Sequence, residues 1–231
     1  MTHALVDDVI WNYSFSTATW STPQRSNIPG LSGHITIAYH QWLVSCFGTT
    51  ANGSLTSQCT WFDTTSLNIT QMDNSHIAEW PTARKYASMI SQPDHEANFV
   101  LFGGQNKSAV LDDVWYLDIR APFEMGWSKI NTLTNHRRSA HASTLIDKDV
   151  ILYYGGQDSL SSLATDPIYF NVTNKEWIHA GNNQYRGPET GLGVDSDTNA
   201  SDRKSNSGAI AGSVIGIVCI AGLVIAYFAW R

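Results

Sequence analysis

The feature that most constrains the fold is a recurrence. Apolar runs stop at glycine three times: HITIAYHQWLVSCFG at Gly48, HEANFVLFGG at Gly103 and Gly104, and KDVILYYGG at Gly155 and Gly156. Gly48, Gly103 and Gly155 stand 55 and 52 residues apart. A chain that repeats on this scale is built from small units that cannot bury an apolar face alone and stack on one another. The spacing is that of propeller blades, with one small sheet per repeat.

The interior of the unit recurs as well. A first short run begins near His34, Tyr86 or His141, and a second leads into glycine. A third is aromatic and closes on Asp or Asn: TWFD at 60–63, WYLD at 115–118, IYFN at 168–171 and, near the start, VIWN at 9–12. Asp and Asn suit a strand end because their side chains bond the local backbone and tolerate left-handed turns. A fourth run centres on Trp20, Trp127 or Trp177, with Ile69 near that place in one repeat. Each unit therefore has the content of a four-stranded blade. Nine Trp, nine Tyr and eight Phe in a chain that is 42% hydrophobic and 15% charged are too apolar for disorder and favour strands. A net charge of −6 offers no basic surface for nucleic acid.

These residues resemble the kelch repeats of β-propellers. The resemblance rests on the glycine pairs Gly103-Gly104 and Gly155-Gly156, the aromatics Trp115-Tyr116 and Tyr169-Phe170, and the spaced Trp127 and Trp177. The first full repeat departs from it, with Gly48-Thr49 in place of the glycine pair and Ile69 in place of Trp. The resemblance implies an all-β fold, a partial propeller of about three and a half four-stranded blades. We expect the last two strands of an incomplete blade at 1–22, a degenerate repeat at 23–78, and full repeats at 79–132 and 133–180. Propellers close with about four to eight blades, so the expectation is the C-terminal part of a longer protein, its missing part holding a signal peptide and further blades. The resemblance also implies recognition through loops on the propeller faces, with a protein or carbohydrate partner and no catalysis in this chain.

Beyond the repeats, 181–207 is rich in Gly, Asn, Asp and Ser and lacks apolar periodicity, the composition of a flexible linker. From Gly208 to Trp230 no residue is charged. A helix of that length reaches about 34 Å, enough for a hydrocarbon core of about 30 Å, so we expect a single C-terminal transmembrane helix. Gly208, Gly212 and Gly216 recur on one helix face, a spacing that suits helix–helix contact and self-association in the membrane. A cleaved lipid-anchor signal is the competing use of the same tail. The first residues are acidic and lack the apolar core of a secretory signal, which also suits a tail-anchored cytosolic adaptor. Six glycosylation sequons, at Asn12, Asn52, Asn68, Asn106, Asn171 and Asn199, all precede the span and favour an extracellular or lumenal propeller region instead. Cys219 falls in the span, which leaves Cys46 and Cys59 as the pair available to a disulfide, or as two buried thiols.

No cofactor is expected. A copper radical oxidase of galactose uses related repeats, so a fragment of such an enzyme, with its catalytic blades missing, is the alternative. Its site needs two Tyr and two His around copper. Here His34, His40, His76, His95, His136, His141 and His179 are scattered over unlike positions, and no ligand is assigned. His95-Glu96 falls in a polar break between strands, where a solvated loop is the default. The glycine pairs end strands and precede no helix, so they are not a nucleotide-binding loop. Arg84 and Arg138, each just ahead of a first strand, are expected to hold loop carbonyls or carboxylates.

Overall fold

Alternation fixes the first strand: in Ile35–Tyr39 (β1), Ile35 and Ile37 are buried while Thr36 and Ala38 face out. The computed structural model describes residues 9–21, 24–25, 30–72, 74, 79–92, 95–132 and 136–178. Their regular elements are strands, with no helix. The expected linker and span at 181–207 and 208–230, with Asn199, Gly208, Gly212 and Gly216, lie outside the described residues. Within them no helix is long and apolar enough to cross a membrane.

Three four-stranded antiparallel sheets follow one another along the chain. The first holds β1, Trp42–Cys46 (β2), Cys59–Asp63 (β3) and Ile69–Gln71 (β4). The second holds Ser88–Gln92 (β5), His95–Phe102 (β6), Val114–Ala121 (β7) and Glu124–Ile130 (β8). Ala142–Asp147 (β9), Val150–Tyr154 (β10), Ile168–Asn171 (β11) and Glu176–Ile178 (β12) form the third. In each sheet spatial order equals chain order, so every connection within it is a hairpin.

Register makes the three sheets equivalent position by position. Ile69 pairs with Phe62, Trp127 with Leu117 and Trp177 with Phe170, so Ile69 occupies the station of the two tryptophans. The core lies between sheets. Phe99 and Leu101 of β6 pack into a cluster with Val44 and Trp61 of the first sheet, while Val100 and Phe102 pack with Ile151, Tyr153 and Trp177 of the third. This explains FVLF, an unbroken apolar run without alternation: the middle sheet is buried on both faces. Successive sheets approach most closely through their first strands, β5 lying beside both β1 and β9.

Three expectations are corrected. The first sheet keeps its glycine-pair station, but Phe47-Gly48 fills it, not Gly48-Thr49. Phe47 has φ +66°, matching +66° at Gly103 and +69° at Gly155, and Gly48 at +94° matches Gly104 at +90°. A phenyl ring is tolerated there because it is fully buried, 5.7 Å from the Arg84 guanidinium carbon. Next, His95 and Glu96 begin strand β6 and are not loop residues; cross-strand pairing with β5 carries the backbone past the polar composition. Finally, the N-terminal hairpin runs on beyond residue 22. Tyr13–Ser14 pairs with Thr19–Trp20, and Val9–Ile10 with Gln24–Arg25. Trp20 there is 64% exposed, against 6% for Trp127 and Trp177.

Candidate functional site

Each sheet is joined to the next by a seam that begins at an arginine station. Arg84 is fully buried, its guanidinium gripping both carboxylate oxygens of Asp113 at 2.7 Å and donating to the Gly103 carbonyl at 2.9 Å. Burial alone would raise the Asp113 carboxyl. The bonds and charge of Arg84, aided by the Trp115 indole N–H, outweigh it and hold the group below the usual carboxylate range. Arg138, at the same station one unit later, donates instead to the carbonyls of Arg137 and Asp166, both at 2.9 Å.

The backbone of that station forms the seam itself. Gly48 N–H donates to the Arg84 carbonyl at 2.7 Å, and Gly104 N–H donates to the Arg138 carbonyl at 2.8 Å. Two residues past each arginine, Tyr86 (φ +57°) and Ala140 (φ +54°) adopt the left-handed conformation that Gly33 (φ +65°) takes in the first unit. Their amides link the units in series, Tyr86 to the Gly33 carbonyl at 2.8 Å and Ala140 to that of Tyr86 at 2.9 Å. A Cβ on Gly103 would fall 2.3 Å from the Arg138 carbonyl oxygen, so this glycine is required by close approach as well as by φ.

The histidines are dispersed. His141 Nε2 lies 2.8 Å from Ser88 Oγ across the second seam, with its ring against Phe102 and Tyr153. Burial, then the Arg138 charge, push it down to about 4, so it is neutral near pH 7. His34 Nδ1 bonds the Leu31 carbonyl, His40 meets the Tyr39 ring edge to face and His136 packs on Trp177. His76 and His179, with the side chains of His95 and Glu96, lie outside the described residues. Cys46 and Cys59, directly opposite in register, are joined as a disulfide.

The sequons differ in setting. Asn12, Asn52 and Asn68 are exposed, and Asn106 and Asn171 are half-buried. Asn52 and Asn106 each accept the backbone N–H of the serine two residues on, Ser54 at 3.0 Å and Ser108 at 2.8 Å. The Asn171 amide instead donates to Asp149 at 3.1 Å.

Two open clefts lie at the end of the sheets opposite the glycine pairs, and Gln92 lines both. One, of about 710 Å³, sits where the first strands converge and is lined by Ile37, Tyr39, His40, Ile90 and Leu145 among others. The other, of about 750 Å³, lies between the second and third sheets. Its lining includes Tyr116, whose hydroxyl donates to Gln92 Oε1, together with Lys129, Lys148 and Lys175. None of the cleft lysines, nor Gln92, stands in a sequence motif. They become neighbours because the β9–β10 and β11–β12 turns share one end of a blade with the outer edge of the sheet before. Trp115, Trp127 and Trp177 are buried, and Tyr116 reaches a cleft.

Four-stranded meanders stacked face to face, joined through glycine pairs and an arginine station, define blades of a β-propeller. The chain belongs to the kelch-repeat family: the KLHDC2/KLHL20/DRC7 Kelch-repeats domain matches residues 2–191. An F-box/kelch-repeat protein of Arabidopsis thaliana is 42% identical over 72 residues, which cover 28% of this chain and 15% of that protein. The chain thus matches a small part of that relative's length.

Proposed function

We propose that this chain is a membrane-anchored recognition module. Its blades lie on the outer or lumenal side of a membrane and hold a protein partner at the turn end of the propeller. Kelch-repeat families are generally protein-interaction modules and not enzymes. The observation that carries the reading is the pair of clefts of about 750 and 710 Å³ that meet at Gln92, on the end of the blades that the seam leaves unused. Anchoring is supported by the uncharged stretch 208–230. The outward side is supported by three exposed sequons and by the Cys46–Cys59 bond, since disulfides persist in oxidising compartments. Gly156 N–H has no seam acceptor among the described residues, and a Cβ at Gly155 would meet nothing within 4 Å. We read that edge as the place where a further blade of a larger propeller packs.

The test is photo-crosslinking from His40 in the full-length chain on cells, with Asn52, at the glycine-pair end, as the control. A protein adduct from His40 and none from Asn52 is expected; no adduct, or the same adduct from both, overturns the assignment of the face. Endoglycosidase treatment checks the side of the membrane, and an unchanged gel mobility would refute the outward orientation.

A further inference from the structure

The chain carries a net charge of −6 and only six lysines, yet three of them, Lys129, Lys148 and Lys175, line the cleft between the second and third blades. They come from three separate elements: the outer strand of one blade and two turns of the next. All three are exposed, and among the described residues none forms an ion pair. Asp149 is the carboxylate in the lining, and it already accepts the Asn171 amide. Glu79 lies nearby, accepting the backbone N–H of Lys129 at 3.5 Å. Lys175 is held by a backbone at φ +58°, a conformation few side chains adopt, which fixes where its Cβ departs from the turn.

The rest of the lining is a mixture of a particular kind. Ser128, Asn131, Thr173 and Gln92 offer neutral donors and acceptors, and the buried Ile130 and Val172 form an aliphatic floor. An extended peptide needs both: polar partners for its backbone and an apolar bed for alternate side chains. An anionic polysaccharide would meet the same lysines but has no apolar side chains to set on the Ile130 and Val172 floor, and a lipid surface would call for an apolar rim. The floor favours a peptide over the polysaccharide, and the polar, lysine-bearing lining offers no apolar rim to a lipid surface.

We propose that the cleft between the second and third blades binds an acidic, extended peptide segment of a protein partner, with Lys129, Lys148 and Lys175 as its charge complement. The proposal rests on the recognition reading and names the partner class for the same face. Ammonium groups on separate elements meet carboxylates spaced along a strand, which rewards a run of acidic residues over a single one. Exposed charges act mainly through steering and register, so binding should weaken as salt rises.

The test uses the full chain in detergent and a short fluorescein-labelled peptide of alternating glutamate and serine, followed by anisotropy. A matched glutamine peptide serves as the neutral probe. Saturable binding of the glutamate peptide is expected, with Kd raised about tenfold by the double change Lys148→Glu and Lys175→Glu. Lys107→Glu, in the loop at the glycine-pair end, changes net charge without touching the cleft and should leave Kd unaltered. No binding, equal binding of the glutamine peptide, or equal loss with Lys107→Glu overturns the proposal. So does lysine-dependent binding of a sulfated glycan or an anionic vesicle in place of the peptide. A crosslinked partner at His40 with no glutamate-peptide binding would leave the recognition reading standing and remove only the acidic partner.

Discussion

Gly103→Ala and Gly155→Ala separate two contributions that usually arrive together. Both positions have left-handed φ, +66° and +69°, so alanine at either carries a similar backbone penalty of about 1–2 kcal/mol. They differ in what the new methyl would meet. At Gly103 it would stand 2.3 Å from the Arg138 carbonyl oxygen, and at Gly155 nothing lies within 4 Å. The Arg138 carbonyl is held, since it accepts Gly104 N–H at 2.8 Å and its neighbour Ser139 exchanges two backbone bonds with Gln157. Relief therefore requires the third blade to move off the second, loosening Phe102 from Tyr153 and Trp177, whose rings lie 4.7 and 4.8 Å away. Overpacking of this kind adds about 1–3 kcal/mol. The expected losses are about 1–2 kcal/mol for Gly155→Ala and about 2–5 kcal/mol for Gly103→Ala. Urea unfolding of both full-length variants in the same detergent, read by tryptophan fluorescence, measures the difference. Equal losses would refute the claim that the seam sets blade spacing. A larger loss at Gly155 would place an unseen contact there.

Asp113→Asn leaves the fully buried Arg84 charge without its carboxylate and should lower stability by about 3–5 kcal/mol, which the same unfolding assay would register. His141 is lowered to about 4 from an ordinary value near 6.5, so folding favours its neutral form. The stability this gives is complete above about pH 6.5 and is lost as pH falls toward about 4, by at most about 3 kcal/mol. His141→Gln should flatten the unfolding midpoint across that window, and an unchanged pH profile would count against it. Asp113, lowered by Arg84 despite its burial, gives stability that is lost only at more acid pH, as the solution falls through its folded value. The Cys46–Cys59 bond closes a loop of sequence separation 13, so a reductant, or Cys46→Ala with Cys59→Ala, should lower stability by about 3 kcal/mol. A midpoint insensitive to reductant would show that the bond is not formed.

The blade was legible in the sequence where one physical requirement admits few residues. A left-handed position favours glycine, and at Gly103, Gly104 and Gly156 a neighbouring carbonyl adds a close approach, so Gly103-Gly104 and Gly155-Gly156 stand out in the sequence 52 residues apart. FVLF read as a strand because a sheet buried on both faces needs no alternation. Phe47 was illegible for the opposite reason: the left-handed penalty of about 1–2 kcal/mol is smaller than the about 3–5 kcal/mol at stake in burying a phenyl ring. Pattern reading therefore moved the pair one residue along, to Gly48-Thr49. His95 was misplaced because the pairing that makes it a strand residue lies in β5, not in its own polar surroundings. The cleft lysines had no local signature at all, since Lys129, Lys148 and Lys175 are brought together only by the stacking of two blades.

The seam works mainly through backbone atoms, with the His141–Ser88 and Ser139–Gln105 side-chain bonds added at the second, and that has a consequence for where specificity can reside. The stations that carry it hold different residues from blade to blade, Gly33, Tyr86 and Ala140 at one and Phe47, Gly103 and Gly155 at another, each matched to its own surroundings. Changing a side chain there alters spacing and stability, and so cannot alter recognition without also altering the fold. The turns at the other end are free of that constraint. Lys148 and Lys175 sit on hairpin turns whose strands are fixed by register elsewhere, so their charges can be reversed while the blades stay in place. A recognition surface that must change independently of its scaffold belongs at that end, which is where the cleft and its lysines lie.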